Sequence, residues 1–86
     1  MEIKVKKPTE QECADMLKLP TWECDVSKFD WYYDQEETCL LIKGEVVVTH
    51  DGGSAKFGAG DMVTFPEGMS CVWDVTQPVK KHYIFK

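Results

Sequence analysis

Residues 37–68 read ETCLLIKGEVVVTHDGGSAKFGAGDMVTFPEG, three apolar runs separated by turn-forming residues. Thr38 to Ile42 is apolar and ends at Lys43-Gly44. Glu45 to His50 is rich in β-branched residues and ends at Asp51-Gly52-Gly53, and Met62 to Phe65 lies between Gly58-Ala59-Gly60-Asp61 and Pro66-Glu67-Gly68. Branched and aromatic side chains suit a pleated, half-buried surface, whereas Gly, Asp and Pro supply the backbone angles of tight turns. Short strands joined by turns follow.

The pattern extends in both directions. Phe29 to Asp34 is aromatic, Ser54 to Phe57 is a short strand, and Ser70 to Val75 and Val79 to Phe85 are separated by Gln77-Pro78. With a further short strand at Ile3 to Val5, about eight closely spaced strands result, as small barrels and sandwiches require. Crossover helices are missing, which excludes a parallel βαβ architecture. The one predicted helix runs from Glu10 to Lys18. Pro8 precedes it, Thr9 and Glu12 have capping-box spacing, and Pro20 stops it.

Alternation sorts side chains by face. Cys71, Trp73 and Val75 are expected inward. Glu37, Cys39 and Leu41 share one side, with Thr38, Leu40 and Ile42 on the other, so this strand is apolar on both faces. An outer cover is implied, either the helix or a second subunit.

Composition narrows the function classes. The 86 residues form one domain, with the barrel core at about 22–85, and a chain this short buries only about 60–65% of its unfolded surface. Aromatic residues make up 12%, which builds a core from few large rings. A net charge of −5 without a long acidic run argues against nucleic acid as a partner. No apolar stretch reaches membrane-spanning length, and Met1 to Lys7 lacks the apolar core of a signal peptide. The expected location is cytoplasmic, or an organelle interior if a transit segment has been removed. Cys13, Cys24, Cys39 and Cys71 are then expected as thiols, with no C-x-x-C pair for zinc or redox chemistry.

Two spacings carry further information. Glu37 is followed by six residues and Gly44; Gly60 is followed by five residues, then Pro66, one residue and Gly68. In this order the pair resembles the two motifs of the cupin superfamily. The similarity is closer to small cupins related to ureidoglycine aminohydrolase and the ethanolamine-utilisation cupin, on residues 29–34, Glu37-Thr38-Cys39, residues 60–68 and Lys81-His82-Tyr83. The resemblance implies an all-β, RmlC-like jelly-roll barrel with one short N-terminal helix, frequently dimeric.

In that superfamily four ligands, three of them histidines, hold a metal. Here the histidine positions fall on Trp31 and Tyr33 (or Asp30 and Tyr32) and on Cys71, so only Glu37 of the usual set is present. No metal or other cofactor is expected. Trp31, Tyr33, Phe65 and Trp73, with His82 on the last strand, instead suggest a site for a small organic molecule. Alternation leaves open whether His82 faces inward or outward, and His50 reads as a turn residue.

Two other readings remain at this level. Glu37 as acid or base and Cys71 as nucleophile would allow metal-independent catalysis on a carbon–nitrogen compound. Alternatively, the rings fill the barrel and the chain is an interaction module. In that case Glu37 needs a partner such as a tyrosine hydroxyl or an indole N–H, because a buried, unpaired carboxylate is costly.

Overall fold

Two long strands that each change sheets organise the molecule. The computed structural model describes residues 1–86. In chain order the elements are β1 (Lys4–Lys6), α1 (Glu10–Met16), β2 (Thr21–Cys24), β3 (Ser27–Tyr32), β4 (Glu37–His50), β5 (Gly53–Gly58), β6 (Met62–Phe65) and β7 (Ser70–Phe85). All pairings are antiparallel. β4 pairs with β6 over Glu37–Leu40 and with β5 over Glu45–His50. β7 pairs with β3 over Ser70–Val75 and with β2 over Val79–His82, while β4 and β7 pair with each other along most of their length.

The result is two facing sheets. One has the order β1, β6, first half of β4, second half of β7, β2; the other has β3, first half of β7, second half of β4, β5. This is the jelly-roll arrangement expected from the sequence. The eight expected strands become seven, because Thr38–Ile42 and Glu45–His50 are one strand, as are Ser70–Val75 and Val79–Phe85. A strand at Thr21–Cys24 is added.

Gly44 explains the first fusion. The sequence places it at a strand end, but it sits within β4, at register irregularities spanning Leu41 to Val46, with φ +98°. Only glycine takes that angle at little cost, and its missing side chain lets the backbone of Pro78 and Val79 in β7 close on it. Both long strands therefore bend at one place and carry their ends from sheet to sheet.

Helix α1 is shorter than predicted, ending at Met16 rather than Lys18. Its capping box is present: Thr9 Oγ1 accepts from the Glu12 N–H at 3.1 Å, and Glu12 Oε1 accepts from the Thr9 N–H at 2.9 Å. The helix packs on β4 and has Met16 as its buried residue, and Thr38, Leu40 and His82 on the outer face of the first sheet are buried. Ile42 and Ile84 stay partly exposed there.

Between the sheets lies a core of Cys39, Leu41, Val63 and Phe65 from one side and Val46, Val48, Phe57, Cys71, Trp73 and Val75 from the other. Cys71, Trp73 and Val75 face inward as alternation predicts. All four cysteines are free, and no helix is long and apolar enough to cross a membrane.

Candidate ligand-binding site

The core rings do not fill the space between the sheets. A cavity of about 230 Å³ opens beside Trp73, lined by Trp22, Phe29, Trp31, Tyr33, Glu37, Lys81, Tyr83 and Phe85. Each sheet supplies part of the wall. Register places Trp22 opposite Lys81 and Glu37 opposite Phe85 in the first sheet, and Phe29 opposite Trp73 in the second.

The rings order one another. Phe29 stacks on Trp73 at 6.2 Å between centroids, and Trp22 meets Trp73 edge-on at 6.0 Å. Behind the wall, Tyr33 stacks on Phe65 at 4.7 Å and 9°. Such pairs contribute about 0.5–1.5 kcal/mol each beyond the area they bury. The indole N–H of Trp73 donates to the Tyr33 hydroxyl at 3.1 Å, so both polar atoms are satisfied within an apolar wall. Burial, followed by the negative charge of Glu37, raises the Tyr33 pKa far above its ordinary value. The hydroxyl stays protonated.

The decisive feature is a buried ion pair. Lys81 Nζ donates to Glu37 Oε2 at 2.8 Å, and the two residues are 5% and 3% exposed. The ammonium also lies 4.6 Å from the Trp73 ring centroid and 5.0 Å from that of Trp22. Indole faces carry negative potential and hold a desolvated cation well.

This geometry sorts the predicted site residues. Trp31, Tyr33, Glu37 and Trp73 come together around the cavity. Phe65 supports Tyr33 from behind and does not line it. His82 is corrected to the other face of β7, where Nδ1 lies 2.8 Å from the Leu19 carbonyl oxygen. Its neighbour Lys81 faces inward instead. Cys71 also lies away from this cavity. It borders a shallower depression with Trp31, Tyr32, His50 and Asp51, and its thiol donates to the Trp31 carbonyl at 3.6 Å. Burial, then the charge of Glu37, pushes that thiol's pKa up, which opposes nucleophilic use at neutral pH.

Lys81 lies in a stretch that carries the family resemblance but is not among the site residues expected from the sequence, although a signal was available. Val79, Lys81, Tyr83 and Phe85 alternate on one face, and Tyr83 and Phe85 are the larger apolar side chains of that strand. Taking the aromatic face as inward brings Lys81 in with it and provides Glu37 with its missing partner.

Residues 11–83 match the sequence profile of the EutQ-like cupin domain. The chain belongs to the EutQ-like cupin family. It is similar over its full length to a DUF861 family protein from Thermotoga maritima, with 45% identity, 99% of this chain and 100% of that one covered, and a TM-score of 0.94. A putative ethanolamine utilization protein Q from Salmonella typhimurium is 26% identical with a TM-score of 0.70, over 76% of this chain and 53% of that one. The acetate kinase EutQ of Escherichia coli (strain K12) is 32% identical over 56 residues. That match covers 65% of this chain, which spans only 24% of the length of the kinase.

Do the residues of this EutQ-like cupin fit the metal that cupins with the full motif hold? Nowhere do three His, Cys, Asp or Glu side chains converge. Glu37, the surviving motif carboxylate, is already engaged by an ammonium, and Trp31, Tyr33 and Cys71 occupy the motif's histidine positions. Tryptophan offers no metal-binding lone pair, the Tyr33 hydroxyl oxygen already accepts from the Trp73 indole N–H, and the Cys71 thiol lies on the Trp31 carbonyl, away from the cavity that Glu37 lines. The donor set does not fit a metal.

Proposed function

We propose that this EutQ-like cupin binds a small organic molecule in the cavity between its sheets, held without a metal ion. The Glu37–Lys81 pair carries the reading. Replacing a buried ion pair with apolar side chains of similar volume is often neutral or stabilising by about 1–4 kcal/mol, so such a pair is poorly explained by stability alone. At the wall of an aromatic cavity it has a use: it provides fixed, directional polar groups in a place where water is scarce. Lys81 also supplies the positive charge that a metal ion would bring beside the motif carboxylate. At about 230 Å³ the cavity falls below the roughly 300–1,000 Å³ of drug-sized sites, so the occupant is a compact metabolite.

The test is nuclear magnetic resonance screening of a metabolite library, read at the indole N–H signals of Trp22 and Trp73. Hits that move these signals support the reading. Hits confined to the outer surface would end it.

We also propose that two copies pair through the outer face of the first sheet, where Ile42 and Ile84 remain partly exposed beside the buried Leu40. Light scattering of the purified chain tests this, and a monomer at tens of micromolar would refute it. The net charge of −5 supports a role away from nucleic acid, and the free thiols suit a cytoplasmic setting.

A further inference from the structure

The ion pair also bears on the net charge and hydrogen-bonding pattern of the ligand. Lys81 has three N–H donors, and a single oxygen of the protein, Glu37 Oε2, accepts from them. Glu37 has a second oxygen, Oε1, with no partner in the protein. No fully buried side-chain nitrogen or oxygen lacks a partner, so Oε1 is not fully buried, and the cavity that Glu37 lines is the open space beside that residue. A donor and an acceptor with unused capacity therefore stand side by side, fixed by the 2.8 Å contact.

Their charges cancel, and this limits the ligand. An incoming anion would place two negative charges around one ammonium, with aromatic walls in place of solvating water. An incoming cation would compete with Lys81 for Glu37, and the faces of Trp22 and Trp73 already hold the Lys81 ammonium. A neutral group with a carbonyl next to an N–H disturbs neither balance. Its oxygen accepts from Lys81 Nζ and its N–H donates to Glu37 Oε1. The flat remainder lies among Trp31, Tyr83 and Phe85.

We infer that the cavity selects a neutral carboxamide-type ligand, a primary amide or a lactam on a flat apolar body, over carboxylates and amines of the same size. This inference rests on the cavity being the binding site, and it adds the chemical class.

Three probes of matched size test it on the full chain: benzamide, benzoate and benzylammonium, titrated at neutral pH with the Trp22 and Trp73 indole signals as readout. Benzamide is expected to bind at least about tenfold more tightly than either charged probe. Equal or tighter binding of benzoate or benzylammonium would overturn the inference. So would the absence of any shift with all three, and the metabolite screen then separates the two claims: library hits at the indoles leave the cavity reading standing, and their absence removes both. Glu37→Gln supplies a second arm, since it leaves the Lys81 charge uncancelled and should move the preference toward benzoate by about tenfold or more. Unchanged preference in a folded Glu37→Gln variant also counts against the inference.

Discussion

The ammonium of Lys81 and the carboxylate of Glu37 meet at 2.8 Å across two adjacent strands, with both side chains almost fully withdrawn from solvent. Removing one partner leaves the other charge buried and uncompensated. Lys81→Met should therefore cost about 3–5 kcal/mol, a large part of the stability of so small a domain. The double variant Lys81→Met with Glu37→Gln should regain most of that loss, because no charge remains in the wall. Urea denaturation of the two variants decides the matter. A single variant as stable as the parent would mean that the pair is solvated in solution.

The Tyr33 hydroxyl and the Trp73 indole nitrogen form the other polar contact of the wall, at 3.1 Å and out of reach of bulk water. Tyr33→Phe keeps the ring stacked on Phe65 but leaves the indole N–H without an acceptor. The expected cost is about 1–3 kcal/mol, the penalty of one orphaned buried donor. The Trp73 N–H resonance should move as well. An unchanged urea midpoint would show that the indole finds another acceptor or water.

How far this arrangement could be read from the sequence depends on which physical signal each residue leaves. Strand positions followed from apolar, aromatic and β-branched runs between turn residues, and the inward set Cys71, Trp73 and Val75 from period-two alternation. The jelly roll was implied by the resemblance to cupins that the motif spacings around Glu37, Gly60 and Pro66 carry. Gly44 was harder to read, because a glycine that bends a continuous strand and one that ends a strand look alike until the partner strand, here Pro78 and Val79, is known. His82 and Lys81 are adjacent, and alternation only guarantees that they point apart. A lysine under two indoles also runs against the general rule that lysine stays solvated, and only the need of Glu37 for a counter-charge marks it. Phe65 and Cys71 fell on the correct side of their strands, but inward-facing is a coarser property than cavity-lining, which depends on how rings from both sheets stack.

Two of the four thiols should be protected in the folded chain. Cys39 is fully buried, and burial pushes its pKa up to about 12; Cys71 is buried and its pKa is likewise raised. Cys13 and Cys24 are partly exposed. Alkylation with iodoacetamide near neutral pH should mark Cys13 and Cys24 first, and all four only after unfolding. The sign of the pH dependence follows from the same shift. The folded state keeps the Cys39 proton above the ordinary thiol value of 9.0, where the unfolded chain loses it. This contribution is complete below pH 9.0 and is lost as pH rises toward about 12. Melting temperatures across that window should fall less steeply for Cys39→Ala than for the parent, whatever its starting value. Parallel slopes would contradict the assignment.

Gly44 and Gly53 allow backbone strain to be separated from crowding. Both have positive φ, +98° and +141°, a region that side chains with a Cβ rarely adopt. At Gly53 an added Cβ would meet nothing within 4 Å, so Gly53→Ala should cost only the backbone term, about 1–3 kcal/mol. At Gly44 the same atom would overlap the Pro78 carbonyl oxygen and lie 2.6 Å from the Val79 Cα. These are backbone atoms of a central strand, with no rotamer through which to yield. Crowding then adds a further 1–3 kcal/mol or so to the strain, and because β4 and β7 both bend at this contact the two sheets must shift apart. Gly44→Ala should therefore be the more damaging of the two by roughly 1–3 kcal/mol in urea denaturation, with weaker ligand response at the Trp22 and Trp73 indoles. Equal costs at the two glycines would mean that the bend does not depend on the close approach of Pro78.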